Sequence, residues 1–460
     1  MKNLIPIIVS IAMPLLSYAL KPSEANLWYW TFNGQTAPLI GGSSEDNLFQ
    51  ESEAAAEMAQ LAAAGGNYVR CAMSSRDEGN LWPFAQDPDT GLYDLEAMDP
   101  EFWERFADFI READRLGIVV QIEVFDRFDY FRKEWKSNPF NPDNNINYDA
   151  DGSGLTNDYP AHPNAANNPF FRTPPALEDN PLVRRYQERF VEGILEVTLP
   201  YENVLYCISN ETKESAEWGA YWARFIHDRA DEAGKTVYVT EMWDARDLAN
   251  EEHQRTWGHP EIYDFVDISQ VNHNVGQAHW EQLMAFRETI IETGLIRPMN
   301  SVKIYGANSG YYGTTRDAQE RFWRNLLAGL ATARFHRPNT GLGARPIALE
   351  NIRAARSFID AFDLTLADPR EVYLHGRSAN EAYGTGSAEH GFAVFFPDGG
   401  DIILRSETPA AGSTYALRWL DIRANTWTEA GDITLSEKSE TRLVTPEEEG
   451  YWIAVLQPSN

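Results

Sequence analysis

Between residues 28 and 365 short apolar strands alternate with amphipathic helices, and this alternation constrains the fold more than any other feature of the chain. Eight segments read as strands: 39–41, 68–73, 118–124, 204–208, 237–240, 266–271, 301–305 and 331–335. Helical stripes lie between them. Phe102, Phe106, Phe109, Ile110 and Ala113 recur at helical spacing and stop at Gly117, and Trp218, Tyr221, Trp222, Phe225 and Ile226 do the same before Gly234. Pro181 follows Asn180 as a first-turn proline behind a cap, ahead of Leu182, Val183, Tyr186, Phe190 and Ile194. Helices between strands cover a parallel sheet, and eight such units fit an α/β fold of the (β/α)8 TIM barrel type. A doubly wound sheet competes, but no GxGxxG follows any strand.

Helical periodicity stops after residue 366. Short strands then recur at 371–374, 391–396, 401–405, 415–421, 426–428, 441–444 and 451–456, separated by turns such as Asp398-Gly399-Gly400. This texture predicts a C-terminal all-β sandwich over 367–460 and leaves 20–366 to the barrel. The 460 residues accommodate both, since a barrel runs to roughly 250 residues as one domain.

The first 19 residues read as a signal peptide. Lys2 precedes an uncharged apolar run over 4–16, and Ser17-Tyr18-Ala19 resembles a cleavage site. A secreted or periplasmic protein is expected. No later segment reaches roughly 18 uncharged apolar residues, so no membrane span is expected. The 39 Lys and Arg against 69 Asp and Glu leave a net charge of −30. Such a field repels phosphate backbones and anionic bilayers, which argues against nucleic-acid and membrane partners. Cys71 and Cys207 sit in apolar runs and read as buried hydrophobes.

No HExxH, Walker loop or GxSxG occurs. A long stretch over 136–179, rich in Asn, Pro and Asp, leaves the C-terminal end of the third strand, which is the active face of a barrel. Within it Asn147, Asp149, Asp151 and Asp158 approach a calcium loop. The loop has Asn at its first position and Asp at its last, so a solvated Asn/Asp loop is the reading and no metal or cofactor is expected.

The strand ends hold the chemistry. The second strand brings Arg70. The third brings Glu123, Asp126 and Asp129, the fourth Asn210 and Glu211, and the fifth Glu241, Trp243 and Asp244. The sixth brings His273, the seventh Lys303 and Tyr305, and the eighth His336 and Arg337. Carboxylates beside aromatic rings suit glycoside cleavage: one carboxyl protonates the departing oxygen, another attacks or supports an oxocarbenium-like centre, and rings stack on sugar faces.

Asn210-Glu211 after a fourth strand, Arg70 after the second and His273 after the sixth resemble clan A, the large clan of retaining glycosidase barrels. The run 38–43, Pro-Leu-Ile-Gly-Gly-Ser, before Asn47-Leu-Phe-Gln50 is similar to collagenase-like and apiosidase-like barrels with a C-terminal β domain. The resemblance implies a hydrolase of O-glycosidic bonds in a polysaccharide or oligosaccharide. It makes Glu211 the general acid/base and Asn210 the holder of a sugar hydroxyl, and it calls for a nucleophilic Glu ending the seventh strand. The chain departs there, because 300–305 contains no carboxylate.

A second carboxylate must come from elsewhere. Glu241 is the first choice, because its strand neighbours the fourth, and Asp244, Glu123 and Asp126 stay open. Arg70, Asn210, Trp243, His273, Lys303, Tyr305 and His336 are expected to bind substrate. The cations Arg70, Lys303, His336 and Arg337 extend the expectation to an anionic sugar. Two alternatives remain: a non-catalytic glycan-binding barrel, motivated by the missing carboxylate, and a polysaccharide lyase using Lys303, Tyr305 or His273.

Overall fold

The computed structural model describes residues 19–308, 310–405, 412–435 and 441–459. The expected leader lies outside them, apart from Ala19. Eight strands alternate with eight helices: β1 (Leu39–Gly42), α1 (Ala54–Ala63), β2 (Tyr68–Ala72), α2 (Pro100–Leu116), β3 (Val119–Asp126), α3 (Pro181–Thr198), β4 (Val204–Asn210), α4 (Ala216–Glu232), β5 (Val239–Thr240), α5 (Glu251–Trp257), β6 (Val266–Asp267), α6 (Gly276–Thr293), β7 (Met299–Asn300), α7 (Thr315–Leu327), β8 (Thr332–Phe335) and α8 (Pro346–Ala361).

Six strands form one parallel sheet in the order β5-β4-β3-β2-β1-β8, and β6 pairs with β7 in parallel. Backbone bonds link the two groups. Asp264 N donates to Val239 O at 2.9 Å, and Ala331 N donates to Met299 O at 2.8 Å. Hydrogen bonds therefore pass from strand to strand in chain order and from β8 back to β1. That is the connectivity a (β/α)8 chain requires.

Alternate strand residues fill the interior. Leu39, Tyr68, Val119, Leu205, Cys207, Met242, Phe265 and Val302 pack with Leu20, Trp30 and Phe32 of the N-terminal segment. Polar groups among them are paired: Tyr68 Oη donates to Gln121 Oε1 at 2.6 Å, and Gln121 Nε2 donates to Asp267 Oδ2 at 3.0 Å. The helices lay their predicted stripes on the outer side. In α2, Asp99 caps the Phe102 amide, Phe102, Phe106, Phe109 and Ile110 are buried, and Gly117 closes the helix at φ 66°. Cys71 and Cys207 are both buried and unpaired.

Three expectations change. The seventh strand pairs regularly only over Met299–Asn300, and beyond it Ile304 and Tyr305 make isolated bridges to Phe335 and Gly341. The sixth ends at Asp267, whose Oδ1 accepts from Ser269 N and turns the chain into a 3-10 segment, Ser269–His273. In the stretch 136–179 the acids of the Asn/Asp loop, Asp149, Asp151 and Asp158, are exposed as expected, but the stretch as a whole is packed. Phe140, Tyr148, Tyr159, Phe170 and Phe171 are buried within it, and Phe170 stacks on Tyr130 at 4.1 Å. Its asparagines tie backbone to backbone: Asn138 Nδ2 bonds Asp129 O at 3.0 Å and Asn168 Nδ2 bonds Tyr130 O at 2.6 Å. Asn147 bonds Leu95 N and Asp94, and Asp149 caps the short helix Ala150–Ser153. Among the described residues no cluster of three His, Cys, Asp or Glu is placed to hold a metal.

After α8 come β9 (Tyr373–His375), β10 (Tyr383–Ser387), β11 (Gly391–Phe396), β12 (Asp401–Arg405), β13 (Thr414–Asp421), β14 (Thr426–Thr434), β15 (Thr441–Val444) and β16 (Trp452–Pro458). They form two antiparallel sheets, β9-β12-β15 and β10-β11-β16-β13-β14. The glycine-spaced β10 is absent from the sequence expectation. The larger sheet is apolar on both faces. Phe392, Val394 and Trp419 meet Ile402, Leu404 and Leu443 of the smaller sheet. Phe395, Ile453 and Val455 join the same apolar cluster as Trp323 and Phe358 of α7 and α8. Phe395 stacks on Trp323 with centroids 6.0 Å apart.

Candidate active site

The site lies where β3, β4, β5 and β7 end. β4 runs to Asn210, and Glu211 follows in the left-handed region at φ 54°. A non-glycine residue held there costs about 1 kcal/mol or more, so the surroundings must fix it. They do: Thr212 N donates to Met242 O at 2.7 Å, and Asp244 N donates to Thr212 O at 3.1 Å. These bonds zip the β4 and β5 exits together and set Glu211 beside Asp244.

Three donors converge on Glu211 Oε1: Lys303 Nζ at 2.6 Å, Gln270 Nε2 at 3.0 Å and Tyr305 Oη at 3.1 Å. Lys303 also donates to Asn210 Oδ1. Arg127 Nη2 lies 3.9 Å from Glu211 Oε2 and 3.1 Å from Asp244 Oδ2, so one guanidinium serves both carboxylates. Burial alone would raise the Glu211 carboxyl, but the charges of Lys303 and Arg127 outweigh it and hold the group well below the usual carboxylate range. Asp244 goes the other way. Burial raises it despite Arg127, and the negative charge of Glu211 adds to the rise.

Aromatic groups line one side. His273 lies 4.4 Å from Tyr305 and 5.8 Å from Tyr312, centroid to centroid. Burial and the nearby Arg246 depress His273 to about 3, so the ring is neutral. His336 meets Tyr305 edge-on at 5.1 Å, and its Nδ1 lies 3.2 Å from Asp46. Burial outweighs that carboxylate and brings His336 to about 4.

Other strand-end charges are locked in pairs. Arg70 grips Glu123 with Nε and Nη2 and reaches Asp46 with Nη1. Arg76 joins Asp126 and Asp129. Burial pushes Asp129 up to about 7 against the pull of Arg76. Arg337 lies 3.2 Å from Glu45 and 3.4 Å from Asp46.

Of the residues predicted from sequence, the structure brings together Glu211, Asn210, His273, Lys303, Tyr305 and His336, with Arg70 beneath them. Glu241 and Trp243 are not brought in. Their neighbour Met242 belongs to the barrel interior, so the alternation of β5 turns both outward. Glu241 Oε1 accepts from Ser209 N at 2.8 Å and Met242 N at 3.2 Å. Its Oε2 is buried without a hydrogen-bond partner among the described residues. It lies against α4, where a methyl on Gly219 would come within 2.7 Å of it. Burial raises its carboxyl well above the ordinary value. Trp243 donates from Nε1 to Thr256 of α5 at 2.8 Å, and Arg255 covers its ring at 5.2 Å.

Sequence reasoning missed Arg127, Gln270, Asp46 and the pair Tyr311–Tyr312. Arg127 sits within a run read for its acids, Glu123 to Asp129. Gln270 belongs to the segment that leaves strand geometry, and period-2 reasoning stops with the strand.

No protein-family model and no curated protein matches the chain. Solved structures do. A glycoside hydrolase family 5 protein from Bacteroides vulgatus superposes with a TM-score of 0.64 at 10% identity, over 95% of this chain and 93% of that one. A further structure described as a glycoside hydrolase gives 0.60 at 10% identity, over 95% and 97%. An endo-1,4-beta-mannanase from Rhizomucor miehei gives 0.50 at 11% identity, over 74% of this chain and 99% of that one. The likeness is one of fold, and the expected (β/α)8 fold class agrees with it. A finer likeness to collagenase-like or apiosidase-like barrels is not among what they show.

Proposed function

We propose that the protein is a secreted glycoside hydrolase that cleaves O-glycosidic bonds of a polysaccharide or oligosaccharide, with Glu211 and Asp244 as its working carboxylates. One observation carries this: two carboxyls bound to one guanidinium, at adjacent strand ends, with their proton affinities driven apart. A divergent pair of this kind separates acid from base.

Asp244 takes the acid role. It holds its proton more tightly than an ordinary carboxyl and donates it to the departing glycosidic oxygen as the anomeric C–O bond breaks. Glu211, kept ionised by Lys303, attacks the anomeric carbon or takes a proton from the water that does. Either route adds one water across the bond. This reverses the acid role that the clan resemblance gives Glu211, because an ionised carboxylate has no proton to donate. It also replaces Glu241 as second carboxylate. Asn210, Tyr305, His273 and His336 are then the substrate-facing polar and aromatic groups, and Tyr311 and Tyr312 extend the ring surface.

The direct test is release of reducing ends from a glycan panel. Glu211→Gln and Asp244→Asn should each lower turnover at least a hundredfold with the fold intact. Near-normal hydrolysis by either variant sinks that residue's role. The Lys303–Glu211 pair also favours a second reading, a glycan-binding barrel without turnover. It requires binding with no new reducing ends from the unaltered protein.

A further inference from the structure

The cations first suggested for an anionic sugar are already neutralised. Arg70, Lys303 and Arg337 each face at least one carboxylate within ion-pair distance, and His336 is a neutral ring beside Asp46. They balance the protein's own acids and leave little field for a ligand. Arg246 differs. It lies two residues past Asp244 and is exposed, and no carboxylate pairs with it among the described residues. Its guanidinium carbon stands 4.7 Å over the ring of Tyr311. Tyr311 is itself 63% exposed, an aromatic ring open to solvent.

This pair connects to the centre of the site through rings. Tyr311 lies 5.1 Å from Tyr312 and 5.7 Å from His273; Tyr312 lies 5.1 Å from Tyr305, which donates to Glu211. The backbone under Arg246 is tied down by Asn274, whose Nδ2 bonds the Arg246 carbonyl at 3.3 Å. An unpaired guanidinium over an exposed ring, two residues along the chain from Asp244 and joined through rings to Tyr305, is suited to take a charged ring. The tyrosine supplies the stacking face and the guanidinium a two-pronged hold on an oxyanion. In a chain of net charge −30 such a cation is the local attraction that an anionic ligand needs.

We infer that Arg246 and Tyr311 form a subsite for the anionic substituent, carboxylate or sulfate, of a sugar bound beside Glu211. The inference rests on the cleft being a glycan site and is independent of turnover there.

Binding calorimetry tests it with three probes: an oligogalacturonate, a sulfated galactan oligosaccharide and mannohexaose. One charged probe should bind the protein more tightly than mannohexaose, and which one does so identifies the substituent. Arg246→Ala should cut that charged-over-neutral preference about tenfold, Arg246→Lys should retain part of it, and added salt should weaken it. Equal melting temperatures establish that the variants fold. No preference in the unaltered protein, or an unchanged preference in Arg246→Ala, overturns the subsite. The same samples, read for reducing ends, separate the two proposals. Hydrolysis of mannohexaose without charge preference keeps the hydrolase and removes the subsite. Charged binding without reducing ends from any probe keeps the subsite and removes the hydrolase.

Discussion

The ammonium of Lys303 and the carboxylate of Glu211 meet at 2.6 Å at the centre of the site, where the clan resemblance calls for a carboxylate on the lysine's strand. The Lys303 side chain is 1% exposed, and that partner and Asn210 are the groups its ammonium bonds. Removing one member leaves a charge stranded in a poor solvent. Glu211→Gln should therefore destabilise the fold by about 3 kcal/mol, and Glu211→Gln combined with Lys303→Met should recover most of the loss. Urea unfolding of the four proteins of this cycle measures it, and additive losses contradict it.

The same pair predicts an acid-sensitive fold. The folded Glu211 carboxyl lies below its ordinary value of 4.5, so its contribution is complete above that pH and is lost as pH falls through the folded value. Unaltered protein should lose more stability between pH 5 and pH 3 than the double variant, which lacks the group. Parallel loss in both proteins contradicts this.

Asp244 should set the alkaline limb of activity. Burial raises its carboxyl, so the protonated form survives to higher pH than usual and kcat/KM declines as pH climbs through the raised value. Asp244→Asn should lose most turnover on natural glycans and far less on aryl glycosides whose leaving group needs no proton. Equal losses on both substrates would contradict an acid role.

Glu241 makes the opposite pH prediction to Glu211. Its folded carboxyl lies well above the ordinary value, so ionisation opposes folding. The penalty is absent below about pH 4 and grows as pH rises towards the folded value. Glu241→Gln keeps an oxygen for the Ser209 and Met242 amides. The variant should be more stable than the unaltered chain at pH 8, by about 1–3 kcal/mol, and equal to it at pH 4. Its turnover should persist; loss of activity without loss of stability would return Glu241 to the site.

Phe395 of β11 and Trp323 of α7 share one apolar cluster, so Phe395→Ala should remove about 3–4 kcal/mol. Barrel and sandwich should still melt in one transition, followed by tryptophan fluorescence and far-ultraviolet dichroism. Separate melting of the two parts contradicts the shared core.

The barrel was legible because its signal is long. Eight alternations with intact helical stripes survive local irregularity, and every predicted strand has a counterpart within a few residues. The site was most legible where a strand continued in register, although His273, Lys303 and Tyr305 were found beyond the regular ends of β6 and β7. Asn210 and Glu211 were found because β4 reaches them. At β5 the regular strand stops at Thr240, so one alternation decides whether Glu241 or Asp244 faces the cleft, and neighbouring acids look alike in sequence. The partner of each charge was illegible for a further reason. Arg127 meets Glu211 across 84 positions of chain, and no local pattern records such a meeting.

The segment 136–179 adds a last consequence. Its asparagines and aromatic rings hold it against the barrel before any ligand arrives. A glycan bound as proposed would meet, at Phe128 and His162, a wall already in place and forfeit none of its binding free energy to ordering a loop. Selectivity at that edge is then steric, a matter of which sugar shapes the standing wall admits, and association should be a single fast step with no slow rearrangement after it.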